Sequence, residues 1–221
     1  NDEGYHLNFM GGASLDFAGK GKMLKTHGFT DVLGLEELLP NLDNKDYKTG
    51  WGLYDDSLLE MVYNRFIELS ETGLKFGIFT LTLDTHHPDG HPSKSCEDIK
   101  YMDGSNSILN AVACSDYLIK KFIEKITKSP YANETIVILV SDHLALRNTA
   151  FDLLQIKKEE RRNLFMIIDP SSNNHKEISS IGSTLDIGTT LLPFIGYTGN
   201  IGLGRNLLNV REREDDRIYI H

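Results

Sequence analysis

The chain has 221 residues, of which 40% are hydrophobic and 25% are charged, and its formal net charge is −9. This length and composition are ordinary for one soluble globular domain, so we predict a single domain over 1–221. The negative charge argues against binding to nucleic acid or to anionic membrane surfaces, because both select Lys- and Arg-rich faces. No apolar stretch approaches the roughly 18 to 20 residues of a transmembrane helix.

The predicted elements alternate strands with helices along the chain. Four mostly apolar runs are predicted as strands, at 5–10, 76–83, 135–141 and 163–168. Apolar residues at helical spacing predict two long helices, one over Asp55–Leu69 with Asp55 or Asp56 as its cap, and one over Ser107–Ile126. This alternation predicts an α/β fold in which a mostly parallel sheet carries helices on both faces. Because a core-like strand follows almost directly on Asn1, we expect the amino-terminal part of the domain to be missing.

The carboxyl-terminal part of the chain contains one further predicted helix and a charged tail. Residues Ser183–Gly196 have the pattern of a short buried helix that ends at Gly196. The charged residues 211–217 are predicted to form a solvated terminus, with a partner contact as the alternative.

A dense group of polar side chains follows the predicted strand 76–83. The run Asp84-Thr85-His86-His87-Pro88-Asp89-Gly90-His91 contains three histidines and two aspartates, which can bind metal or phosphate. In isolation this run is also compatible with an ordinary polar loop.

A second pair of candidate ligands, Asp142 and His143, follows the predicted strand 135–141. The run has no polar alternation, which predicts a strand buried on both faces, as in a parallel sheet. Adjacent carboxylate and imidazole groups can bind one divalent metal, although Asp142 is also compatible with a simple turn cap. Because parallel strands end at the same sheet edge, we expect the two loops to meet, and this favours a metal site.

The glycine-rich segment after the first strand gives a weaker signal. Gly11-Gly12 and Ala18-Gly19-Lys20-Gly21-Lys22 lack the spacing of a P-loop, so a simple turn is favoured, although Lys20 and Lys22 could place positive charge near a phosphate. Together the loops suit metal-assisted transfer or hydrolysis of a phosphate or sulfate ester. The residues alone identify no activated nucleophile.

The two cysteines, Cys96 and Cys114, leave two interpretations open from their spacing. A disulfide and a pair of reduced thiols are both compatible with it. Neither cysteine belongs to a C-x-x-C pair, which argues against zinc.

Four motifs together resemble the phosphoglycerol transferase I family, which belongs with lipoteichoic acid synthase in the sulfatase and alkaline phosphatase superfamily. They are Gly11-Gly12 with Phe17-Ala18-Gly19-Lys20, Trp51-Gly52-Leu53-Tyr54-Asp55-Asp56, Phe79 to Gly90, and Ser141-Asp142-His143-Leu144-Ala145. The resemblance implies a carboxyl-terminal portion of a sulfatase-like catalytic domain. It also implies transfer of glycerol phosphate from a phosphatidylglycerol-type donor to a periplasmic glucan.

The resemblance assigns roles to particular residues. Asp142 and His143 would bind the catalytic divalent ion, by likeness Mn²⁺, and His86, with its neighbour His87, would bind the substrate phosphate. Cys96 and Cys114 match a cysteine pair of the family, which favours the disulfide in a periplasmic setting.

The resemblance also shows departures from the family. The family's glutamate ligand, its threonine nucleophile and its membrane helices would all precede Asn1, so we expect residues 1–221 to be inactive alone and the periplasmic enzyme to be anchored in the inner membrane through that upstream segment. Met10 and Phe17 stand where lipoteichoic acid synthase has His and Trp for substrate contact.

Two alternative functions remain open. One is another enzyme of the superfamily, such as an arylsulfatase or a phosphoethanolamine transferase. The other is a non-catalytic binding module with structural calcium, which the histidines disfavour because calcium prefers oxygen ligands.

Overall fold

A computed structural model describes residues 4–156, 158–172 and 175–209. The contacts divide the chain into two compact units, Asn1–Ile168 and Asp169–His221, so the single domain over 1–221 stays a prediction. The strands are β1 (His6–Gly11), β2 (Asp31–Leu33), β3 (Phe76–Leu81), β4 (Val137–Val140) and β5 (Phe165–Ile168). The helices are α1 (Lys20–Thr26), α2 (Leu35–Leu38), α3 (Asp55–Glu71), α4 (Ser107–Thr127), α5 (Phe151–Ile156) and α6 (Thr184–Leu191).

The first unit contains a parallel sheet with the strand order β2-β1-β3. Successive residues of β1 point to opposite sides of the sheet, as the twofold period of a strand requires. Phe9 packs with Leu24 of α1 on one side, whereas Met10 packs with Leu58 and Val62 of α3 on the other. The predicted α/β fold, with a parallel sheet between helices, is therefore confirmed.

Helices α3 and α4 agree with the predicted helices to within two residues. Asn106 caps α4, because its side-chain oxygen accepts a hydrogen bond from the Leu109 N–H at 3.2 Å. The predicted cap of α3 is wrong: the cap residue is Tyr54, and Asp55 is the first residue of the helix. The carboxylate of Asp55 instead accepts hydrogen bonds from the backbone N–H groups of Leu83 and Asp84, which directly follow β3.

Strand β4 differs from its prediction. It pairs with β5 in antiparallel orientation and has no pairing with the parallel sheet among the described residues. Ile138 and Val140 are each 42% exposed, so the expectation of a strand buried on both faces is wrong for the described chain. An apolar run indicates that a strand is suited to burial. Which strands it pairs with depends on segments that are distant in sequence.

The second unit is organised around the buried carboxylate of Asp186 on α6. This carboxylate accepts hydrogen bonds from the N–H of Ser183 at 2.8 Å and from the N–H of Arg205 at 2.7 Å. Although burial raises the pKa of Asp186, these N–H donors and the Arg205 guanidinium lower it below its usual value overall. The predicted end at Gly196 is confirmed: this glycine has a φ of 85° and follows a 3₁₀ turn over Leu192–Ile195. The charged tail 211–217 lies outside the described residues.

Candidate functional site

The loop that follows β3 begins at a buried carboxylate. Asp84 and Asp55 bind each other's backbone: Asp84 Oδ1 accepts from the Asp55 N–H at 3.0 Å, and Asp55 Oδ2 accepts from the Asp84 N–H at 3.2 Å. Asp55 Oδ1 also accepts from the Leu83 N–H at 2.6 Å. We name this reciprocal pair the aspartate clasp. It joins the start of α3 to the end of β3, so Asp84 has a structural place and is not an exposed metal ligand.

Burial dominates the electrostatics of the aspartate clasp. Loss of solvent, reinforced by the neighbouring negative charge of Asp84, raises the pKa of Asp55 to about 7. Burial also raises the pKa of Asp84, although hydrogen bonds from Ser93 act against this. Simultaneous ionisation of two neighbouring carboxyl groups in one buried site is unfavourable, because their negative charges repel. The clasp therefore holds a proton more readily than exposed aspartates do.

The rest of this loop is fastened to α4 and to its own far end. Ser93 donates from its backbone N–H and its hydroxyl to Asp84 Oδ2, at 2.9 and 2.6 Å. Gly90 has a φ of +70°, and a Cβ there would lie 2.5 Å from the Ala111 side chain of α4. Cys96 and Cys114 form a disulfide with their Cα atoms 5.5 Å apart, so the structure contains the pairing that the family resemblance favours.

The two histidines of the loop stack on one another and on Trp51. The His86 ring centroid lies 3.9 Å from that of Trp51 and 4.8 Å from that of His87. His86 Nδ1 lies 2.8 Å from the His87 carbonyl oxygen, so this nitrogen is the donor. In the neutral ring Nε2 is then an acceptor, whereas in the imidazolium it can donate to an anion such as phosphate.

Trp51 also belongs to this site, although the sequence motif that contains it gave no role to this residue. Its turn is held by Thr49, whose Oγ1 accepts from the Trp51 N–H at 3.0 Å and from the Gly52 N–H at 3.1 Å. The next N–H, of Leu53, donates to the Gly12 carbonyl at 3.1 Å. These bonds tie the Trp51 turn to the loop after β1. One feature of the sequence points to Trp51: it is the only tryptophan of the chain and lies between two glycines.

The glycine-rich segment after β1 contributes an exposed phenylalanine and a half-buried lysine. Phe17 lies edge-on to Trp51, with ring centroids 6.4 Å apart. Partial burial lowers the pKa of Lys20, whose Nζ lies 5.6 Å from the centroid of the Phe9 ring. Met10 is 3% exposed and packs in the core, so it is not available for substrate contact.

Asp142 and His143 follow β4 as predicted, and both side chains are exposed. His143 Nδ1 lies 2.8 Å from the Leu144 carbonyl oxygen, which makes Nδ1 the donor and leaves Nε2 as an acceptor. This Nε2 lies 3.4 Å from Asp142 Oδ2. Two atoms that share a cation at about 2.1 Å lie about 3.0 to 3.4 Å apart, so the pair fits two ligands of one metal ion. Among the residues that the structure describes, no group of three or more His, Cys, Asp or Glu side chains is arranged to hold a metal.

The loop after β3 and the loop after β4 meet, although not for the predicted reason. Their parent strands do not share a sheet in the described chain, so the argument from one common sheet edge is wrong. The contact is made further along: the Thr149 N–H donates to the Pro88 carbonyl at 3.1 Å. Asn106, at the start of α4, donates from its side-chain amide to the Thr149 carbonyl at 3.0 Å. The imidazole of His86 and the Asp142–His143 pair therefore belong to neighbouring loops.

Comparison with known proteins decides the family. The protein-family model described as Sulfatase matches residues 1–197. The chain belongs to the sulfatase family. A phosphoglycerol transferase I from Shigella flexneri is 42% identical to this sulfatase-family chain over 210 residues, which cover 94% of the chain and 27% of the relative. The chain thus spans about a quarter of the length of that curated relative.

Two solved structures share the fold of this sulfatase-family chain. A protein of the alkaline phosphatase superfamily from Vibrio parahaemolyticus has a TM-score of 0.78 at 27% identity, covering 98% of this chain and 51% of that one. The lipoteichoic acid synthase LtaP from Listeria monocytogenes has a TM-score of 0.78 at 19% identity, covering 94% and 54%. The second likeness shows the fold alone. The family and fold implied by the motifs are confirmed.

Proposed function

We propose that this chain is part of a metal-dependent phosphoglycerol transferase, which moves glycerol phosphate from a phosphatidylglycerol-type lipid to a periplasmic glucan. The observation that carries the proposal is the contact at Pro88 and Thr149 between the loop of His86 and the loop of Asp142 and His143. A phosphate binder and a pair of metal ligands on touching loops suit phosphoryl transfer. The 42% identity to a phosphoglycerol transferase I supports the choice of transferred group.

In this proposal Asp142 and His143 supply two ligands to a divalent ion, by family likeness Mn²⁺. Their two facing atoms, 3.4 Å apart, are both acceptors, as cation binding requires. When bound, such an ion polarises a phosphoryl oxygen and lowers the pKa of a coordinated hydroxyl. His86, with its neighbour His87, binds the phosphate of the donor: as an imidazolium it donates from Nδ1 to the His87 carbonyl and from Nε2 to a phosphate oxygen.

The remaining ligands and the nucleophile are proposed to lie outside residues 1–221, as the family resemblance implies. Two features of the first unit support a larger catalytic domain. Strands β3 and β4 each pair with only one neighbour among the described residues. Both also expose apolar side chains, including Phe79, Leu81 and Ile138, of the kind that further protein normally covers.

Membrane attachment and a periplasmic location are proposed to come with that same upstream part. Within the described residues no helix combines the length and the hydropathy needed to cross a bilayer. Access to a phosphatidylglycerol-type donor would then depend on the longer protein rather than on this portion.

The test compares three proteins: the complete protein encoded by the whole reading frame, residues 1–221 alone, and the Asp142→Asn variant of the complete protein. We expect the complete protein to transfer labelled glycerol phosphate from phosphatidylglycerol in a manganese-dependent way, and the variant to lose at least about 100-fold of that rate. Residues 1–221 alone should show no turnover and weak manganese binding by calorimetry. Glu97→Gln, which removes an exposed carboxylate elsewhere, is the matched control.

Three results would contradict the proposal. Transfer from phosphatidylethanolamine or cleavage of an aryl sulfate, without activity on phosphatidylglycerol, would assign the chain to another branch of the family. Tight manganese binding by residues 1–221 that disappears in Asp142→Ala would show that the metal site is complete without further ligands. Full activity of Asp142→Asn would remove the metal role of this pair.

A further inference from the structure

Trp51 has no role in the phosphate chemistry proposed above, yet its side chain contacts His86, the proposed phosphate-binding residue. The indole stacks on His86 at a centroid distance of 3.9 Å and an interplanar angle of 32°, and it remains 43% exposed. Phe17 meets it edge-on at 6.4 Å. Large aromatic side chains left open next to a polar site are typical of ligand contact rather than of core packing. We name Phe17 and Trp51 the aromatic platform.

The turn that carries Trp51 is held in place by hydrogen bonds within the chain. Thr49 accepts hydrogen bonds from two successive N–H groups of the turn, and its own N–H donates to the Gly52 carbonyl at 2.7 Å. Gly52, at a φ of +149°, allows the turn to approach Gly12 so closely that a Cβ would lie 2.0 Å from the Gly12 carbonyl oxygen. A rigid turn reduces the entropy that binding must cost, so it suits recognition.

The chemistry of the platform points to a neutral ring. Its two side chains carry no formal charge, and the face of an indole attracts weakly positive C–H groups. One face of a pyranose presents such C–H groups over an area close to that of an indole, whereas glycerol is too small to cover it. An acyl chain would favour a continuous apolar surface, but the platform is bordered by His86, on which His87 stacks. These groups can bind sugar hydroxyls at the rim of a ring.

We propose that Trp51 of the aromatic platform stacks against a neutral hexopyranose ring of the glycan acceptor. The inference rests on the proposed function, because it places the acceptor next to His86, where the phosphate of the donor is proposed to bind. The imidazole of His86 covers one face of the indole, so the sugar ring would stack on the other face, with the indole between it and the imidazole. Trp51 would thus determine which hydroxyl-bearing molecule receives the glycerol phosphate.

The first experiment uses residues 1–221, in which Trp51 is the only tryptophan, so that its fluorescence reports on this one site. Titration with a neutral glucopentaose should give a saturable change in emission, and glycerol at the same concentration should give none. In calorimetry, Trp51→Ala should weaken saccharide binding at least about tenfold, with Trp51→Phe in between. The matched control is Tyr101→Ala, which removes an aromatic side chain of nearly the same exposure, 44%, elsewhere in the same unit. It should bind the saccharide like the unaltered chain.

The second experiment uses the complete protein and measures how its product divides between glycan-linked and free glycerol phosphate. Trp51→Phe should lower this ratio at least about fivefold, because water then competes better with a poorly held acceptor. A structural defect at His86 would lower both products together, so an unchanged ratio would overturn the inference, as would the absence of saturable saccharide binding by the complete protein in calorimetry. If the complete protein cleaves no donor at all, the proposed function fails, while the saccharide titration still decides whether Trp51 binds a sugar.

Discussion

The two loops that carry the candidate site are held in opposite ways. The loop after β3 begins at the aspartate clasp, returns to it through Ser93, and is joined to α4 by the Cys96–Cys114 disulfide. The loop after β4 exposes Asp142 and His143, whose hydrogen bonds in the described chain are to their own segment. The side proposed to bind phosphate is therefore pre-organised, whereas the side proposed to bind the metal presents two candidate ligands of an incomplete set. Such a set gains order when further ligands and an ion are present.

Removal of the clasp should produce the largest effect on the fold. Asp84→Ala leaves three buried donors without their acceptor, namely the N–H groups of Asp55 and Ser93 and the Ser93 hydroxyl. We expect the free energy of unfolding to fall by about 3 to 5 kcal/mol, which urea denaturation would measure. Asp89→Ala, an exposed aspartate of the same loop, should change it by less than about 0.5 kcal/mol. Equal effects of the two substitutions would show that the clasp does not order this loop.

A pH dependence of stability is the next largest expected effect. The pKa of Asp55 is raised from 3.8 to about 7, so between these values the folded protein binds a proton that the unfolded chain has released. Stability from this group is therefore fully present below about pH 4 and is lost progressively as the pH rises to about 7, by about 4 kcal/mol in total.

The measurement is the free energy of unfolding at pH 5 and pH 8, in the unaltered chain and in Asp55→Asn. The amide cannot ionise, so the variant should be less stable overall but should lose less stability between the two pH values. The variant retains every other ionisable group of the chain, so the difference between the two slopes isolates the clasp. Identical slopes would contradict the assignment.

The sequence predicted what depends on local periodicity and missed what depends on distant partners. Apolar spacing was sufficient for α3 and α4, and the position of Asp142 and His143 after a strand was correct. The antiparallel pairing of β4 with β5 and the Pro88–Thr149 contact could not be derived, because both join segments that are far apart in sequence. The sequence predicts Asp55 or Asp56 as the cap of α3, but in the folded chain the Asp55 carboxylate accepts hydrogen bonds from the N–H groups of Leu83 and Asp84, just after β3.

The smallest expected effect on stability concerns the loop after β4, which carries Asp142 and His143. Because Asp142 and His143 are exposed and bonded only locally among the described residues, Asp142→Asn and His143→Ala should each change the free energy of unfolding of residues 1–221 by less than about 0.5 kcal/mol. In the complete protein we expect manganese to raise the melting temperature and the same substitutions to remove this rise, because a bound ion stabilises only a fold that retains its ligands. A loss of stability in residues 1–221 comparable to that of Asp84→Ala would show that both loops are held by buried interactions, and the contrast between a pre-organised and an incomplete side would fail.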